Sequence, residues 1–381
     1  MSRVVLVTEH VVNCANGEFF HNELSTFVDR YHRYGSLTIF CYGKQVDNPS
    51  ATKIDIQSSD MVVILDKPNT IINRFFRKGY YKRQMENAIS GSDLLICHLP
   101  SYTGNVAISI ARQNRIKYIV GCVGCIWDAL WNYNWKGKLM APLSFLEMRK
   151  TVKEAPYVFY VTERFLQGRY PTKGQSIACS NVCIDTGNDE VLKSKEVFLS
   201  RDTDHINLMT SAAVNVKYKG QQYVIEAISR LKRENIVCHY YLAGGGDATY
   251  LRDLAHRYNV ADSVHFLGMI PRGKVLEQLE QVDIYIQPSK QEGLPRALIE
   301  AMSMGCPALG TDVAGIPELL PTEYLYQPED VASLCEKIKD FSLQRRIEAS
   351  KRNFSTAQRY DRAILDMRRN KFFVSVLESN K

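Results

Sequence analysis

The sequence lacks any apolar run near the roughly twenty residues that a membrane-spanning helix needs. An apolar run begins after Arg3 but stops at Glu9, so the start of the chain does not resemble a signal peptide. The ten cysteines do not show the even, repeated spacing of a disulfide framework. Cys122 and Cys125 form a C-x-x-C pair, but no second pair or histidine cluster completes a zinc site. We therefore expect a cytosolic protein whose cysteines are small core residues.

Two common phosphate-binding fingerprints are also missing from the glycine-rich segment at residues 241–255. Its three glycines are not followed by the Gly-Lys-Ser/Thr ending of a Walker loop, and they lack the G-x-G-x-x-G spacing of dinucleotide-binding proteins. The glycines still allow the backbone to approach a ligand closely. A hydrophobic fraction of 45% excludes a disordered chain, and 381 residues exceed one ordinary core, so we expect two globular domains.

What the sequence does contain is two successive sets of alternating strand-like and helix-like segments. The first set begins with Val4–Thr8 and the second with Ile206–Ala213. This alternation predicts an α/β fold, with two doubly wound, Rossmann-like domains whose strands end at a central cleft. We place the N-terminal domain at residues 1–195 and the C-terminal domain at residues 196–356. The polar segment from residue 180 to about 205 is predicted to be an irregular linker.

Residues 288–307 place Glu292 and Glu300 eight positions apart around a predicted strand, tight loop and helix. Pro295 is predicted to be the first helical residue, and the helix N-terminus offers unpaired N–H groups that suit phosphate. The two carboxylates then need a different ligand, and sugar hydroxyls are natural donors to a carboxylate. The alternative is that Glu292 is a solvated loop residue and Glu300 a surface helix residue.

Three other loops of the C-terminal half contain residues that could bind parts of a nucleotide. Lys217 and Lys219 follow a predicted strand at the start of a helix, where they can neutralise phosphate. Gly245 lies in the glycine triplet, and Met269 follows an apolar strand end that could frame a base. Together these loops indicate a site for a nucleoside diphosphate.

Residues 205–320 resemble those of the glycosyl transferases group 1, also called glycosyltransferase family four, which are retaining enzymes of the GT-B fold. The resemblance rests on the strand, KG and helix, on YLAGGG and VHFLG, and on residues 288–320. It implies a hexosyltransferase that uses a nucleotide-diphosphate sugar, with Glu292 at the transferred sugar and Glu300 at the ribose. The sequence departs from the family at Val214, where relatives usually have Arg, and either Lys217 or Lys219 would have to take over its role.

Further site residues follow from the same resemblance. The donor-binding set is Lys217, Lys219, Gly245, Met269, Gly293, Leu294, Arg296 and Glu300. The N-terminal domain would bind the acceptor, with the loop that contains Asn13 and Gly17 facing the diphosphate. Asp128 is either a catalytic residue that contacts a sugar or a helix cap. A last helix at about residues 357–381 should pack back on the N-terminal domain.

The resemblance also implies that neither a cofactor nor a metal is needed. A lysine and the helix N–H groups can stabilise the leaving diphosphate. A metal route would need a D-x-D in the active cleft. The sequence has this motif at Asp202 and Asp204, but it precedes the first strand of the C-terminal domain, and we interpret it as linker.

Positive charge is concentrated in the first half of the chain. Residues 1–200 carry 24 Lys and Arg against 18 Asp and Glu, and residues 201–381 carry 24 against 23. Residues 74–83 and 131–140 interleave basic and aromatic side chains, which suits a surface that rests on anionic lipid headgroups. Single-stranded nucleic-acid binders show a similar mixture, and a solvated basic face is a third interpretation.

We favour the membrane interpretation and expect no nucleic-acid partner. The protein would then be cytoplasmic and peripheral at the inner membrane face, where it extends a glycan on a lipid diphosphate carrier during polysaccharide biosynthesis. An epimerase or phosphorylase of the same fold would need a second catalytic set or a cofactor lysine, and we find neither. A non-catalytic binding protein is disfavoured by the intact pair of Glu292 and Glu300.

Overall fold

The computed structural model describes residues 2–49, 51–67 and 77–379. Its chain forms two compact units. The first unit comprises Met1–Trp127, Met140–Cys179 and Asp366–Lys381. The second unit comprises Asp128–Leu139 and Ser180–Leu365. None of the helices within the described ranges combines the length and the apolar composition that crossing a membrane requires.

The first unit is built on a largely parallel sheet, which has eight strands within the described residues. The strands are β1 (Arg3–Ala15), β2 (Glu18–Phe20), β3 (Ser36–Gln45), β4 (Met61–Leu65), β5 (Leu94–Leu99), β6 (Tyr118–Cys122), β7 (Tyr157–Tyr160) and β8 (Gln175–Ala178). Their order is β4-β3-β1-β5-β6-β7-β8, and β2 pairs antiparallel with β1. Strands β5 and β6 are buried along their whole length, as expected for a parallel sheet that is covered on both faces.

The second unit contains a parallel sheet of six strands, counted within the described residues. The strands are β9 (His205–Ser211), β10 (Val237–Ala243), β11 (Val264–Gly268), β12 (Ile284–Gln287), β13 (Ala308–Thr311) and β14 (Leu325–Tyr326). Their order is β11-β10-β9-β12-β13-β14, which is the doubly wound Rossmann arrangement. The predicted fold class of two Rossmann-like domains is therefore confirmed.

Helices connect the strands and cover the sheets. In chain order, the helices of the described residues are α1 (Asn22–His32), α2 (Lys78–Ser90), α3 (Tyr102–Gln113), α4 (Ile126–Trp131), α5 (Trp135–Lys153), α6 (Phe165–Arg169), α7 (Asp189–Leu199), α8 (Gln221–Arg233), α9 (Thr249–Arg257), α10 (Arg272–Glu280), α11 (Arg296–Ser303), α12 (Val331–Lys339), α13 (Leu343–Gln358) and α14 (Arg362–Glu378).

The structure corrects the prediction of an irregular linker between residues 180 and 205. Helix α7 lies within this segment, and its cap Asn188 accepts a hydrogen bond from the backbone N–H of Glu190. The helix looks polar because one of its buried positions is Lys195. The Lys195 ammonium donates to the carbonyls of Leu279 (2.7 Å) and Val282 (2.6 Å), so a charged residue takes the place of an apolar one.

The last helix begins later than the sequence suggested. Helix α13 ends at Gln358, and α14 starts at Arg362 after Asp361 accepts a hydrogen bond from the N–H of Ala363. The residues of α14 from Asp366 onward belong to the first unit. There Phe373 is fully buried in the apolar core that also contains strands β1 and β5.

Candidate functional site

The strand order of the second sheet reverses between β9 and β12, where Ile284 and Tyr285 of β12 pair with Leu208 and Met209 of β9. In open α/β sheets, ligands bind outside the carboxyl ends of the strands at such a switch point. The loop after β9 contains Lys217 and Lys219, and the loop after β12 contains Glu292. The motifs predicted from the sequence therefore meet at the position where this topology favours a ligand.

Gly220 holds these two loops together. Its φ is +78°, a left-handed conformation that suits glycine, and a Cβ at this position would lie 1.9 Å from the carbonyl oxygen of Pro288. Beside this contact, the N–H of Lys290 donates to the carbonyl of Tyr218 at 2.7 Å. The loop that contains Lys219 can approach the loop after β12 because residue 220 has no side chain.

Glu292 is fixed by three donors that converge on one carboxylate oxygen. Its Oε1 accepts hydrogen bonds from Lys219 Nζ (2.7 Å), Ser289 Oγ (2.7 Å) and Gln287 Nε2 (3.0 Å). The Glu292 side chain is 11% exposed and that of Lys219 21% exposed. Within the described residues, Oε2 of Glu292 accepts no hydrogen bond and so stays available to a ligand. This environment is unlike that of a solvated loop residue.

Glu300 lies in the second turn of α11 and is also engaged. Its Oε1 accepts a hydrogen bond from Arg272 Nε at 3.1 Å, and both side chains are partly exposed. Helix α11 begins at Arg296, so Pro295 is the residue before the helix rather than its first residue. No side chain caps this N-terminus, which leaves first-turn N–H groups without a capping partner.

The glycine triplet packs closely against neighbouring loops of the same unit. A Cβ on Gly245 would lie 2.6 Å from Met269 Cε, and a Cβ on Gly246 would lie 2.4 Å from Asn215 Oδ1. The backbone N–H of Gly244 donates to the carbonyl of Gly268 at 2.9 Å. The Met269 side chain is 74% exposed beside this loop, so it presents an apolar surface to solvent. Gly245 and Met269 are thus neighbours, as a shared role in framing a ligand requires.

Lys217 points to a different place from Lys219. Its ammonium lies 4.6 Å from the centre of the Tyr250 ring, at a cavity of about 310 Å³. The residues that line this cavity are Asn132, Lys217, Tyr218, Gln222, Tyr223, Glu226, Tyr250, Leu254, Tyr258 and Lys290. Lys290 forms an ion pair with Glu329, whose hydrogen bond raises the pKa of Lys290 and lowers that of Glu329. Lys219, not Lys217, is therefore the lysine at Glu292.

The remaining predicted donor residues surround the start of α11. The carbonyl of Gly293 accepts a hydrogen bond from the N–H of Gly315 at 3.0 Å, which fixes the loop after Glu292. Leu294 is buried beneath this loop. Arg296 is an exposed first residue of the helix.

The segment that contains Asn13 and Gly17 is not the predicted loop. Asn13 is part of β1, where it pairs with Phe20 of β2 and with Lys44 of β3. Asn16 and Gly17 both have positive φ, at 51° and 79°, and form the two-residue turn of a hairpin. The Asn-Gly dipeptide is the preferred sequence for such a turn, so strand pairing extends through this segment.

Asp128 lies in the first turn of the short helix α4. Asn132 Nδ2 donates to the backbone carbonyl of Asp128 at 3.0 Å and is 3.4 Å from Oε1 of Gln291. Gln291 precedes Glu292 in the chain, so one amide links α4 to the loop that contains this glutamate.

The D-x-D motif lies away from this constellation. Asp204 is 97% exposed, and its carboxylate is 2.9 Å from Nδ1 of His205, which lowers the pKa of Asp204. Across residues 2–49, 51–67 and 77–379, no group of three His, Cys, Asp or Glu side chains is arranged to hold a metal ion.

Sequence reasoning missed three side chains of the site. Gln287 and Ser289 are fully buried polar residues at the carboxyl end of an apolar strand, and this contrast was the available signal for them. Arg272, at the start of α10, could not be linked to Glu300 from spacing, since 28 residues separate the two.

Comparison with known proteins agrees with this geometry. Residues 193–359 match the family described as "Glycosyl transferases group 1". The chain is 29% identical to Protein CapJ of Staphylococcus aureus over 78% of its own length and 73% of that protein. It is 32% identical to the putative colanic acid biosynthesis glycosyltransferase WcaL of Salmonella typhimurium, over 35% of the chain and 36% of WcaL.

A solved structure extends the likeness over both units. HepE of Anabaena, crystallised in complex with UDP and glucose, matches 98% of the chain and 100% of HepE, with a TM-score of 0.68 and 12% identity. This likeness concerns the fold, which is GT-B. The family match spans residues 193–359 and includes the loops around Lys219, Glu292 and Glu300, so this part of the chain is similar to the glycosyl transferases group 1.

Proposed function

We propose that the protein transfers a sugar, of the hexose type, from a nucleoside diphosphate sugar to a glycan acceptor, with retention at the anomeric carbon. The product would be a cell-surface polysaccharide. The similarity to WcaL, whose name refers to colanic acid biosynthesis, supports the polysaccharide. The HepE complex with UDP and glucose supports the donor class and makes UDP the first nucleotide to test.

The observation that carries the proposal is the largely buried ion pair between Lys219 and Glu292 at the switch point. A diphosphate has more negative charge than one carboxylate, so it would compete for the Lys219 ammonium. Glu292 would then keep the hydrogen bonds from Ser289 and Gln287 to Oε1, and its Oε2 would accept hydrogen bonds from hydroxyls of the transferred sugar. The uncapped N-terminus of α11 adds partial positive charge for the same diphosphate.

Glu300 has a separate role in this proposal. It lies eight residues after Glu292 and is 24% exposed, which allows its carboxylate to accept hydrogen bonds from ribose hydroxyls. Gly245 and Met269 would frame the base. Asp128 is the candidate contact to the acceptor, because Asn132 connects its helix to Gln291.

The two glutamates should respond differently to substitution. We expect Glu300→Ala to weaken UDP and the nucleotide sugar alike, by the roughly 1.5–3 kcal/mol of a charged hydrogen bond. Glu292→Ala should not weaken UDP, because the diphosphate would no longer compete with this carboxylate for Lys219, and it should reduce transfer at least a hundredfold. Calorimetric titration and a transfer assay measure both effects. Glu277→Ala is the control, because Glu277 is an exposed carboxylate of α10 that pairs with Lys274. Equal losses of UDP affinity in both variants would contradict the assignment.

We further propose that transfer needs no metal ion. Lys219 and the N–H groups of α11 would supply the positive charge that a metal provides in other transferases. Transfer should therefore continue in EDTA at a rate close to that without the chelator. A strict requirement for manganese or magnesium, restored when the ion is added back, would contradict this proposal.

The acceptor in this proposal is a glycan on a lipid diphosphate carrier, and the enzyme would work as a peripheral protein at the inner face of the membrane. The excess of Lys and Arg in residues 1–200 supports this, since basic residues are attracted to anionic headgroups.

A further inference from the structure

One face of α5 exposes large apolar side chains to solvent. Trp135, Leu139, Leu143 and Leu146 are 67%, 70%, 74% and 61% exposed. Their spacing of four, four and three residues places all four within an arc of about 80° on a helix of 3.6 residues per turn. Exposed leucines of globular proteins usually occur singly, whereas a continuous stripe marks an interaction surface.

Residues 135–139 of α5 belong to the second unit and residues 140–153 to the first, and the stripe is not needed for the packing of the part in the first unit. The buried side of the helix consists of Ala141, Met148 and Val152, which are 0%, 3% and 0% exposed. The helix thus has a packed face of its own and a second apolar face toward solvent.

Basic side chains surround one end of the stripe. A cavity of about 400 Å³ is lined by Leu146, Arg149, Lys150, Lys153, Glu154 and Lys173. The carboxylate of this cavity, Glu154, forms an ion pair with Arg112, with 2.9 Å between Oε2 of Glu154 and Nη1 of Arg112. In the described part of the chain, none of the four cations of this cavity forms an ion pair. The cavity therefore offers concentrated positive charge to an anion.

The sequence analysis assigned the membrane surface to residues 74–83 and 131–140, and the structure supports only part of this assignment. Arg74, Phe75 and Phe76 lie outside the described residues. Tyr81, from the same predicted segment, is fully buried and donates its hydroxyl to the carbonyl of Asp66 at 2.8 Å, so its ring belongs to the core. Trp135, from the other predicted segment, is exposed and begins the stripe on α5.

We propose that this face of α5 docks on an anionic bilayer. Leu139, Leu143 and Leu146 would enter the interfacial layer, and a headgroup phosphate would occupy the cationic cavity. Charge favours this partner: α5 carries five Lys and Arg against one Glu. A second copy of the chain would bring like charges together across a two-fold axis, and a nucleic acid would leave the leucines in water.

The docking face would present a lipid-linked acceptor to the enzyme, and this one step rests on the proposed function. Binding of the protein to vesicles does not depend on a donor or on catalysis. The two proposals can therefore fail separately.

The first experiment uses the unmodified protein. Its three tryptophans all lie between residues 127 and 135, so intrinsic fluorescence reports on the start of the stripe. We expect quenching by vesicles that contain brominated phosphatidylglycerol at low salt, and much less quenching by zwitterionic vesicles or at high salt. Absence of quenching and of co-sedimentation with the anionic vesicles would overturn the proposal.

The second experiment compares matched variants by co-sedimentation. Lys150→Glu with Lys153→Glu, and separately Leu143→Gln with Leu146→Gln, should each lower the partition coefficient on anionic vesicles at least tenfold. The charge control is Lys193→Glu with Arg233→Glu, and the apolar control is Val197→Gln with Met367→Gln. These controls change exposed residues outside the docking face and should bind vesicles as the unmodified protein does.

The outcomes separate the alternatives. Controls that lose as much binding as the α5 variants would overturn the docking face. A leucine variant that turns a dimer into a monomer in light scattering, with vesicle binding unchanged, would assign the stripe to a second copy of the chain. Thermal stabilisation by nucleotide sugars is measured on the same variants and should not change. Vesicle binding without any nucleotide-sugar binding would overturn the proposed function and leave the docking face intact.

Discussion

Among single residues, His98 shows how burial changes chemistry in this protein. Its imidazole is enclosed by the rings of Phe27 and Phe159, and its Nε2 lies 3.1 Å from the hydroxyl of Tyr31. Burial lowers the pKa of His98 to about 3. The residue therefore stays neutral at every pH at which the protein is handled, and it contributes to the core rather than to proton transfer.

This pKa predicts a dependence of stability on pH. The unfolded chain binds a proton at His98 below pH 6.5, whereas the folded chain does not until about pH 3. The unfolding free energy should therefore fall as the pH drops below 6.5, by about 2 kcal/mol at pH 5 from this residue alone. Denaturant unfolding of the protein and of His98→Gln, each at pH 7 and pH 5, measures this change in the unfolding free energy. Between pH 7 and pH 5, the unfolding free energy of the variant should fall by about 2 kcal/mol less than that of the unmodified protein. Equal decreases for the two proteins would refute the assignment.

At the scale of elements, the loop before α8 depends on a single glycine. Gly220 combines a positive φ with a close approach to the carbonyl of Pro288. It also directly follows Lys219, so the geometry of the loop determines where this ammonium lies. The backbone conformation of this turn therefore determines the position of the Lys219 ammonium beside Glu292.

We expect Gly220→Ala to destabilise the protein by about 2–4 kcal/mol, because the left-handed backbone and the clash with a carbonyl add together. It should also weaken UDP binding, since Lys219 would move with the loop. The control is Gly273→Ala in α10, where an added Cβ has nothing within 4 Å and φ is not positive. Alanine there should be neutral or stabilising by up to about 1 kcal/mol. Similar unfolding midpoints for the two variants would rule out the strain at Gly220.

The elements also show what a sequence can and cannot predict here. The strand predicted at Ile206–Ala213 was found almost to the residue as β9, because its apolar run is buried in the middle of a parallel sheet. Helix α7 was missed, since Lys195 is buried through hydrogen bonds to carbonyls that lie more than 80 residues away. The spacing of Glu292 and Glu300 was visible as a motif. The contact between Lys219 and Glu292 was not, because it depends on two loops that only the strand order brings together.

For the whole molecule, the chain builds two units with separate cores and returns to the first unit at its end. The C-terminal residues from Asp366 onward supply part of the first core. Phe373 stacks on Tyr31 at 5.7 Å and on Tyr34 at 5.0 Å between ring centres, and it is fully buried. A segment more than 300 residues away in the chain thus stabilises helix α1 and the sheet beneath it.

This arrangement predicts that core substitutions act on one unit at a time. Phe373→Ala removes a buried ring from the first core and should cost about 3–5 kcal/mol there. In hydrogen exchange measured by mass spectrometry, the amides of β1 and β5 should exchange faster, while those of β9 and β12 keep their rates. Phe354→Ala is the matched control, because Phe354 is buried in α13 of the second unit, and it should give the reverse pattern. If either substitution accelerates exchange equally in both sheets, the units unfold as a single cooperative body.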